Sequence, residues 1–198
     1  MSHVIASPLT TRAEPSTARI IGRWMISFVG FPLGGLAALI LTDPVNGAGN
    51  ALVGGLITGA VLGAVQAWAL RADRRQLLAW TLATTLGLAV GLALGASLID
   101  FSTTMGDLAF QGAVTGAFVG LAQAAVLWSR TRFLAVVWPL YLAGAYALGW
   151  VVTTAGGIAV EEQFTTFGAY GAITATFLTA VLPVLLANRP TNTEKSSS

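Results

Sequence analysis

Long apolar stretches separated by brief polar breaks run along the whole chain, and their length points to what surrounds them. Trp24 to Leu41, Ala51 to Leu70, Leu77 to Ile99, Leu108 to Ser129, Phe133 to Gly157 and Phe164 to Ala187 are each of spanning length. At about 1.5 Å of rise per residue, roughly 20 helical residues cross the hydrocarbon core of a bilayer. The breaks are polar or glycine-rich, as in Asp43-Pro44-Val45-Asn46-Gly47 and Arg71-Ala72-Asp73-Arg74-Arg75. The pattern predicts an all-α integral membrane protein with six transmembrane helices over residues 24–187. Disordered tails are expected at 1–23 and 188–198. The first of these holds Pro8 and Pro15 with no apolar run, unlike a secretory signal, so the stretch after Arg23 is read as a retained helix.

A second pattern lies inside the first. Gly55-Leu56-Ile57-Thr58-Gly59 leads to Gly63 and Gln66-Ala67 in the second span, and Gly112-Ala113-Val114-Thr115-Gly116 leads to Gly120 and Gln123-Ala124 in the fourth. Gly171-Ala172-Ile173-Thr174 opens the matching stretch of the sixth, where Leu182-Pro183 stands in place of Gln-Ala. Trp24, Trp80 and Trp138 begin the odd spans, each followed eleven residues later by Gly35, Gly91 or Gly149. This predicts three tandem parallel helical hairpins of about 57 residues, near 24–70, 77–129 and 133–187, with any symmetry axis along the membrane normal. A closed ring of hairpins and an asymmetric bundle both satisfy it.

Glycines recur at four-residue spacing as Gly55, Gly59 and Gly63, as Gly87, Gly91 and Gly95, and as Gly112, Gly116 and Gly120. Such stripes let helix backbones approach closely in lipid. Packing within the chain is the first expectation for them, and a dimer face the second.

Composition agrees with a lipid solvent. Charged residues make up 9% of the chain, against about 25% in a soluble domain, too few to cover a water-exposed surface. Their distribution says more than their net charge. Arg12, Arg19 and Arg23 precede the first span, Arg71, Arg74 and Arg75 follow the second, Arg130 and Arg132 the fourth, and Arg189 and Lys195 the sixth. The opposite loops carry Asp43, Asp100, Asp107, Glu161 and Glu162 and no basic residue. Basic loops face the cytoplasm, so both termini are expected there, in a multi-pass protein of the cell (inner) membrane. Five tryptophans, Trp24, Trp68, Trp80, Trp128 and Trp138, fall at the same ends of the spans and are read as interfacial rings.

The spans hold no charged residue and no histidine, and the chain has no cysteine. Proton relays, sodium coupling and charge gating use intramembrane charges, and haem and zinc sites use His or Cys. No catalytic residue, cofactor site or metal site is therefore assigned, and no phosphate loop, nucleophile elbow or HExxH motif occurs. What remains is a possible polar lining of Gln66, Gln123, Thr58, Thr115 and Thr174. The alternative for the glutamines is interhelical bonding, and for the threonines bonding to their own helix. Pro32, among glycines, is expected to kink the first span, and Pro139 and Pro183 to bend later ones.

Leu70-Arg71, then Trp80-Thr81-Leu82-Ala83-Thr84-Thr85-Leu86-Gly87 with Gly91 and Gly95, resembles small uncharacterised bacterial multi-pass proteins with Gly-rich hairpins. That resemblance covers Ala51 to Gly149 and implies no activity. Mitochondrial carriers also have three parallel hairpins, but their Pro-acid-base signature is missing after Pro32 and Pro139. The expected function is a non-enzymatic accessory, scaffold or assembly module. The alternative is a passive channel or uncoupled transporter for a small neutral or apolar solute. Expected partners are membrane lipids and a membrane protein or second copy of the chain, with no nucleic acid.

Overall fold

The computed structural model describes residues 16–42, 45–158 and 165–188. Six helices within them are long and apolar enough to cross a membrane. They are α1 (Thr17–Thr42), α2 (Ala48–Ala69), α3 (Arg74–Leu98), α4 (Met105–Leu127), α5 (Arg132–Ala155) and α6 (Ala169–Ala187). The outer carboxylates Asp43, Glu161 and Glu162, and the basic residues Arg12, Arg189 and Lys195, lie outside the described residues.

Most helices start earlier than hydropathy suggests, because their first turns are polar and capped. Asp73 accepts the Gln76 N–H at 2.9 Å and starts α3. Thr104 accepts the Asp107 N–H at 3.3 Å and donates to the Asp107 carboxylate at 2.7 Å, starting α4. Thr131 accepts the Leu134 N–H at 3.3 Å ahead of α5. Each cap satisfies a donor that has no partner within the helix. Similarly, α1 begins at Thr17, with the Ser16 carbonyl accepting from Arg19 and Ile20.

Two prolines interrupt their helices and one does not. A proline has no N–H for the carbonyl four residues back, and its ring crowds that carbonyl. Ahead of Pro32, α1 tightens into a 3-10 turn at Ser27–Val29. Ahead of Pro183, α6 breaks at Ala180, whose N–H bonds the Phe177 carbonyl at 3.1 Å. Pro139 sits inside α5, which runs on without a break.

Each helix packs against its neighbours in sequence, and the first half of α1 returns to α6. The six-helix bundle is thereby closed into a ring. Backbones approach closely around it. A Cβ on Gly59 would stand 2.6 Å from the Thr85 Cα of α3, and one on Gly55 2.6 Å from the Ala89 Cα. On α3, a Cβ on Gly87 would meet the Val119 Cα of α4 at 2.6 Å and one on Gly91 the Thr115 Cα at 2.8 Å. On α4, Gly120 lies against Pro139 of α5, and Gly116 against the Leu142 carbonyl. Gly63, Gly95 and Gly112 make the equivalent approaches to Thr81, Gln111 and Tyr146.

Outside, the ring presents large apolar side chains such as Leu33, Ile40, Leu82, Leu98, Val136, Leu140 and Phe177. Inside lies a core containing Trp24, Phe31, Trp80, Trp138, Tyr146, Trp150 and Phe167, with a smaller buried cluster of Val45, Ala51, Leu92 and Ala96.

Candidate functional site

The polar groups within the ring form two layers along its axis. In the first, each odd helix contributes a tryptophan and each even helix its hydrogen-bond acceptor. Trp80 Nε1 of α3 donates to Gln66 Oε1 of α2 at 3.2 Å. Trp138 Nε1 of α5 donates to Gln123 Oε1 of α4 at 2.7 Å. Trp24 Nε1 of α1 donates to the Thr176 carbonyl at 3.0 Å and Thr179 Oγ1 at 3.2 Å, both on α6. The three tryptophans, both glutamines and Thr179 surround a cavity of about 10 Å³, which Phe31, Leu142 and Tyr146 complete.

The third pair shows why α6 manages without a glutamine. Because the Ala180 N–H bonds Phe177, the Thr176 carbonyl lacks its usual helical donor. It faces the Trp24 indole instead, so the break ahead of Pro183 exposes a backbone acceptor where a side-chain amide serves in α2 and α4.

The second layer sits beyond Phe31 and Tyr146, which border both cavities. Here Thr165, Thr166 and Phe167, just before α6, enter the ring. A Cβ on Gly54 would meet Thr165 Cγ2 at 2.5 Å, and one on Gly35 would meet Thr166 Cγ2 at 2.6 Å. Those glycines lie some six or seven residues from their helix ends, so the segment dips about 10 Å inward. Non-helical backbone at that depth is tolerated because it is buried in protein. Phe167 packs against Phe31, Tyr146 and Trp150 with ring centroids 5.4, 5.0 and 5.6 Å away. Thr58 Oγ1 donates to the Gly34 carbonyl at 3.2 Å, leaving the Thr165 hydroxyl to donate in their 2.7 Å contact.

Gln111 and Thr115 of α4 and Thr166 line this second cavity, also about 10 Å³. Gln111 is 1% exposed and, among the described residues, neither of its amide atoms has a hydrogen-bond partner, and the Thr115 and Thr166 hydroxyls are likewise buried and unpaired. A buried amide without a partner costs on the order of 1–3 kcal/mol.

Of the five residues expected as a polar lining, Gln66 and Gln123 meet in the first layer and Thr115 lies in the second. Thr58 bonds at the margin of that second layer. Thr174 stands apart, on the flank of α6, bonding its own Tyr170 carbonyl at 2.8 Å. The inward positions of α6 are Ala175, Thr176 and Thr179, whereas those of α2 are Thr58, Gly59 and Leu62. Matching Gly171 to Gly55 is therefore one residue out of step, and about 100° of helical rotation turns Thr174 away from the axis.

The interfacial reading is corrected for three of the five tryptophans. Trp68 and Trp128 are about half exposed, but Trp24, Trp80 and Trp138 are at most 3% exposed and point inward. Their spacing had marked them as repeated, yet only their burial makes Trp80 and Trp138 donors to the glutamines and Trp24 a donor to Thr176 and Thr179. Gln111, Thr166 and Thr179 had no signal in the repeat pattern. Gln111 is buried on α4, as Gly54 is on α2 and Gly171 on α6.

Together these features define an all-helical multi-span membrane protein with a packed polar axis. The chain matches no protein-family model, no curated protein and no solved structure.

Proposed function

We propose that this protein is a non-enzymatic accessory, scaffold or assembly module of the cell membrane. The observation that carries this reading is the filled axis: three tryptophans, Phe31, Tyr146 and Phe167 occupy it, and each of the two axial cavities is about 10 Å³. That is room for about one water molecule. A ring so packed works through its outer surface, its ends and its lipids. The proposal includes three tandem parallel hairpins, packed through glycine stripes, with both termini in the cytoplasm. The recurrent Trp-to-polar pairs at α2–α3, α4–α5 and α6–α1 support the repeat. The gathering of Arg19, Arg23, Arg71 and Arg130 around one cavity supports the orientation.

The test combines two measurements on the full chain. Reconstituted in liposomes, it should pass glycerol and urea no faster than protein-free vesicles. Released from native membranes into nanodiscs, it should retain a stoichiometric protein partner or a second copy. Solute flux several-fold above the vesicle background, or a solitary particle in every preparation, overturns the proposal.

A second reading, a passive path for a small neutral solute, is favoured by the unpaired Gln111, Thr115 and Thr166 on the axis. On that reading Phe31 and Tyr146 separate two halves of a closed path. Wild-type protein would then conduct, and Phe31→Ala would conduct faster.

A further inference from the structure

Two adjoining cavities open at the arginine-bearing end of the ring. One, of about 310 Å³, is lined by Arg19 and Arg23 of α1, Arg71 after α2 and Arg130 after α4, with Leu70 and Leu186 among its apolar residues. The other, of about 410 Å³, shares Leu70, Arg130 and Leu186 and adds Arg75. No aspartate or glutamate among the described residues lines either one. Among the described residues, Arg19, Arg71, Arg75 and Arg130 form no ion pair. The ring topology thus brings guanidiniums from three separate chain segments around one space that no carboxylate of the described residues lines.

Two details show that the arrangement is unfavourable by itself. The Arg23 head group bonds the Trp68 carbonyl and lies 4.8 Å from the Trp68 ring centroid, but its Nε is buried without a partner. Arg71 adopts φ 55°, a left-handed conformation, at the end of α2. Its N–H bonds the Trp68 carbonyl at 3.0 Å and the Ala72 N–H bonds the Ala67 carbonyl at 3.1 Å. This is a helix stop that glycine usually occupies, and a residue with a Cβ costs roughly 1–2 kcal/mol there. Folding alone would be better served by a glycine at this position. An anion held among the guanidiniums would offset their mutual repulsion.

We propose that this basin binds a phosphate-bearing anion. Arginine's planar fork matches phosphate oxygens with paired hydrogen bonds, and every Lys or Arg position of the chain except Lys195 is arginine. A tetrahedral phosphate can present oxygens to several segments at once. The same anion has two sources, the headgroup of an anionic phospholipid or a soluble phosphate compound. The apolar wall at Leu70 and Leu186 also accommodates the glycerol and first acyl carbons of a lipid. The site does not depend on whether the ring is sealed or conducts.

Delipidated full-length protein in detergent would be titrated with phosphatidylglycerol, phosphatidylcholine and pyrophosphate, with native mass spectrometry as readout. Arg71→Gly and Arg130→Gln are the variants, each with its melting temperature measured. Phosphatidylglycerol should bind in preference to phosphatidylcholine. Each variant should weaken it about fivefold, equivalent to about 1 kcal/mol for one charge near a membrane surface. Arg71→Gly should at the same time melt no lower than wild type, because it relieves the left-handed strain. Pyrophosphate binding that is lost in the same variants assigns the site to a soluble phosphate. Phosphatidylglycerol preference without pyrophosphate binding assigns it to lipid. Equal binding of the two lipids with no pyrophosphate bound, or anion binding unchanged in both variants, overturns the proposal.

Discussion

The Trp138 indole N–H donates to the Gln123 amide oxygen at 2.7 Å, and the NH2 of the same amide donates to Thr84 Oγ1 at 2.9 Å. One side chain on α4 thereby ties α5 to α3, and Thr84 passes the chain on to its own helix's Trp80 carbonyl at 2.9 Å. Gln123→Leu keeps the volume but leaves the Trp138 N–H buried without an acceptor. It should destabilise the protein by about 1–2 kcal/mol, within the range for interhelical bonds and unpaired donors. Gln66→Leu should cost less, since the Trp80 bond is longer, at 3.2 Å. Thermal unfolding in a mild detergent measures both. Equal melting of wild type and Gln123→Leu would show that the network adds nothing.

Glycine content alone does not say which glycines matter, but the neighbouring atoms do. Gly116 lies against the Leu142 carbonyl of α5, and a Cβ on Gly59 would stand 2.6 Å from the Thr85 Cα. Gly144 has nothing within 4 Å of the position its Cβ would take. Replacing Gly59 or Gly116 by Ala forces helix backbones apart and should cost about 1–3 kcal/mol, and Leu should cost more. Gly144→Ala should be neutral or slightly stabilising, because it lowers the chain's freedom when unfolded. Melting curves that rank Gly144→Ala with Gly116→Ala would contradict this.

Thr174 and Thr179 separate the repeat seen in sequence from the ring seen in space. Thr174→Val removes a hydroxyl that bonds only its own helix and should shift stability by less than about 0.5 kcal/mol. Thr179→Val removes a side-chain acceptor of the Trp24 indole. It should cost about 0.5–1.5 kcal/mol, moderated because the Thr176 carbonyl still accepts. Urea or thermal denaturation followed by tryptophan fluorescence would report both, and the opposite order would return Thr174 to the axis.

The chain contains no cysteine, so single cysteines can be placed without further changes. Ser129 lies at the arginine-bearing end, and Gly106 near the opposite end with open space around it. In intact cells, Gly106→Cys should react with a membrane-impermeant maleimide and Ser129→Cys only after the membrane is opened. The reverse pattern would invert the proposed orientation.

The glutamine pair also marks the limit of reading the chain unaided. Gln66 and Gln123 were visible at a spacing of 57 residues, as were the tryptophans at 56 and 58. That Gln66 accepts from Trp80 and Gln123 from Trp138 was not, because donor and acceptor lie on different helices. Thr179 was hidden for another reason. It serves Trp24 because it lies on the inward face of α6, one residue out of step with the matched repeat, and the break at Ala180 frees the Thr176 carbonyl beside it.

The sequence by itself determined the solvent, the number of helices and, within two residues, where each of them ends. Hydrophobic length and the cost of burying charge in lipid act locally, residue by residue, and leave a direct trace in composition. Tertiary structure alone decided that α6 returns to α1 and that three tryptophans turn inward rather than lie at the interface. It also decided that Gln111 is buried unpaired and that four arginines from three chain segments line one cavity. Those outcomes depend on which helices become neighbours and on rotations of a single residue about a helix axis. A one-residue shift leaves hydropathy almost unchanged, yet it moved Thr174 from the axis to the flank.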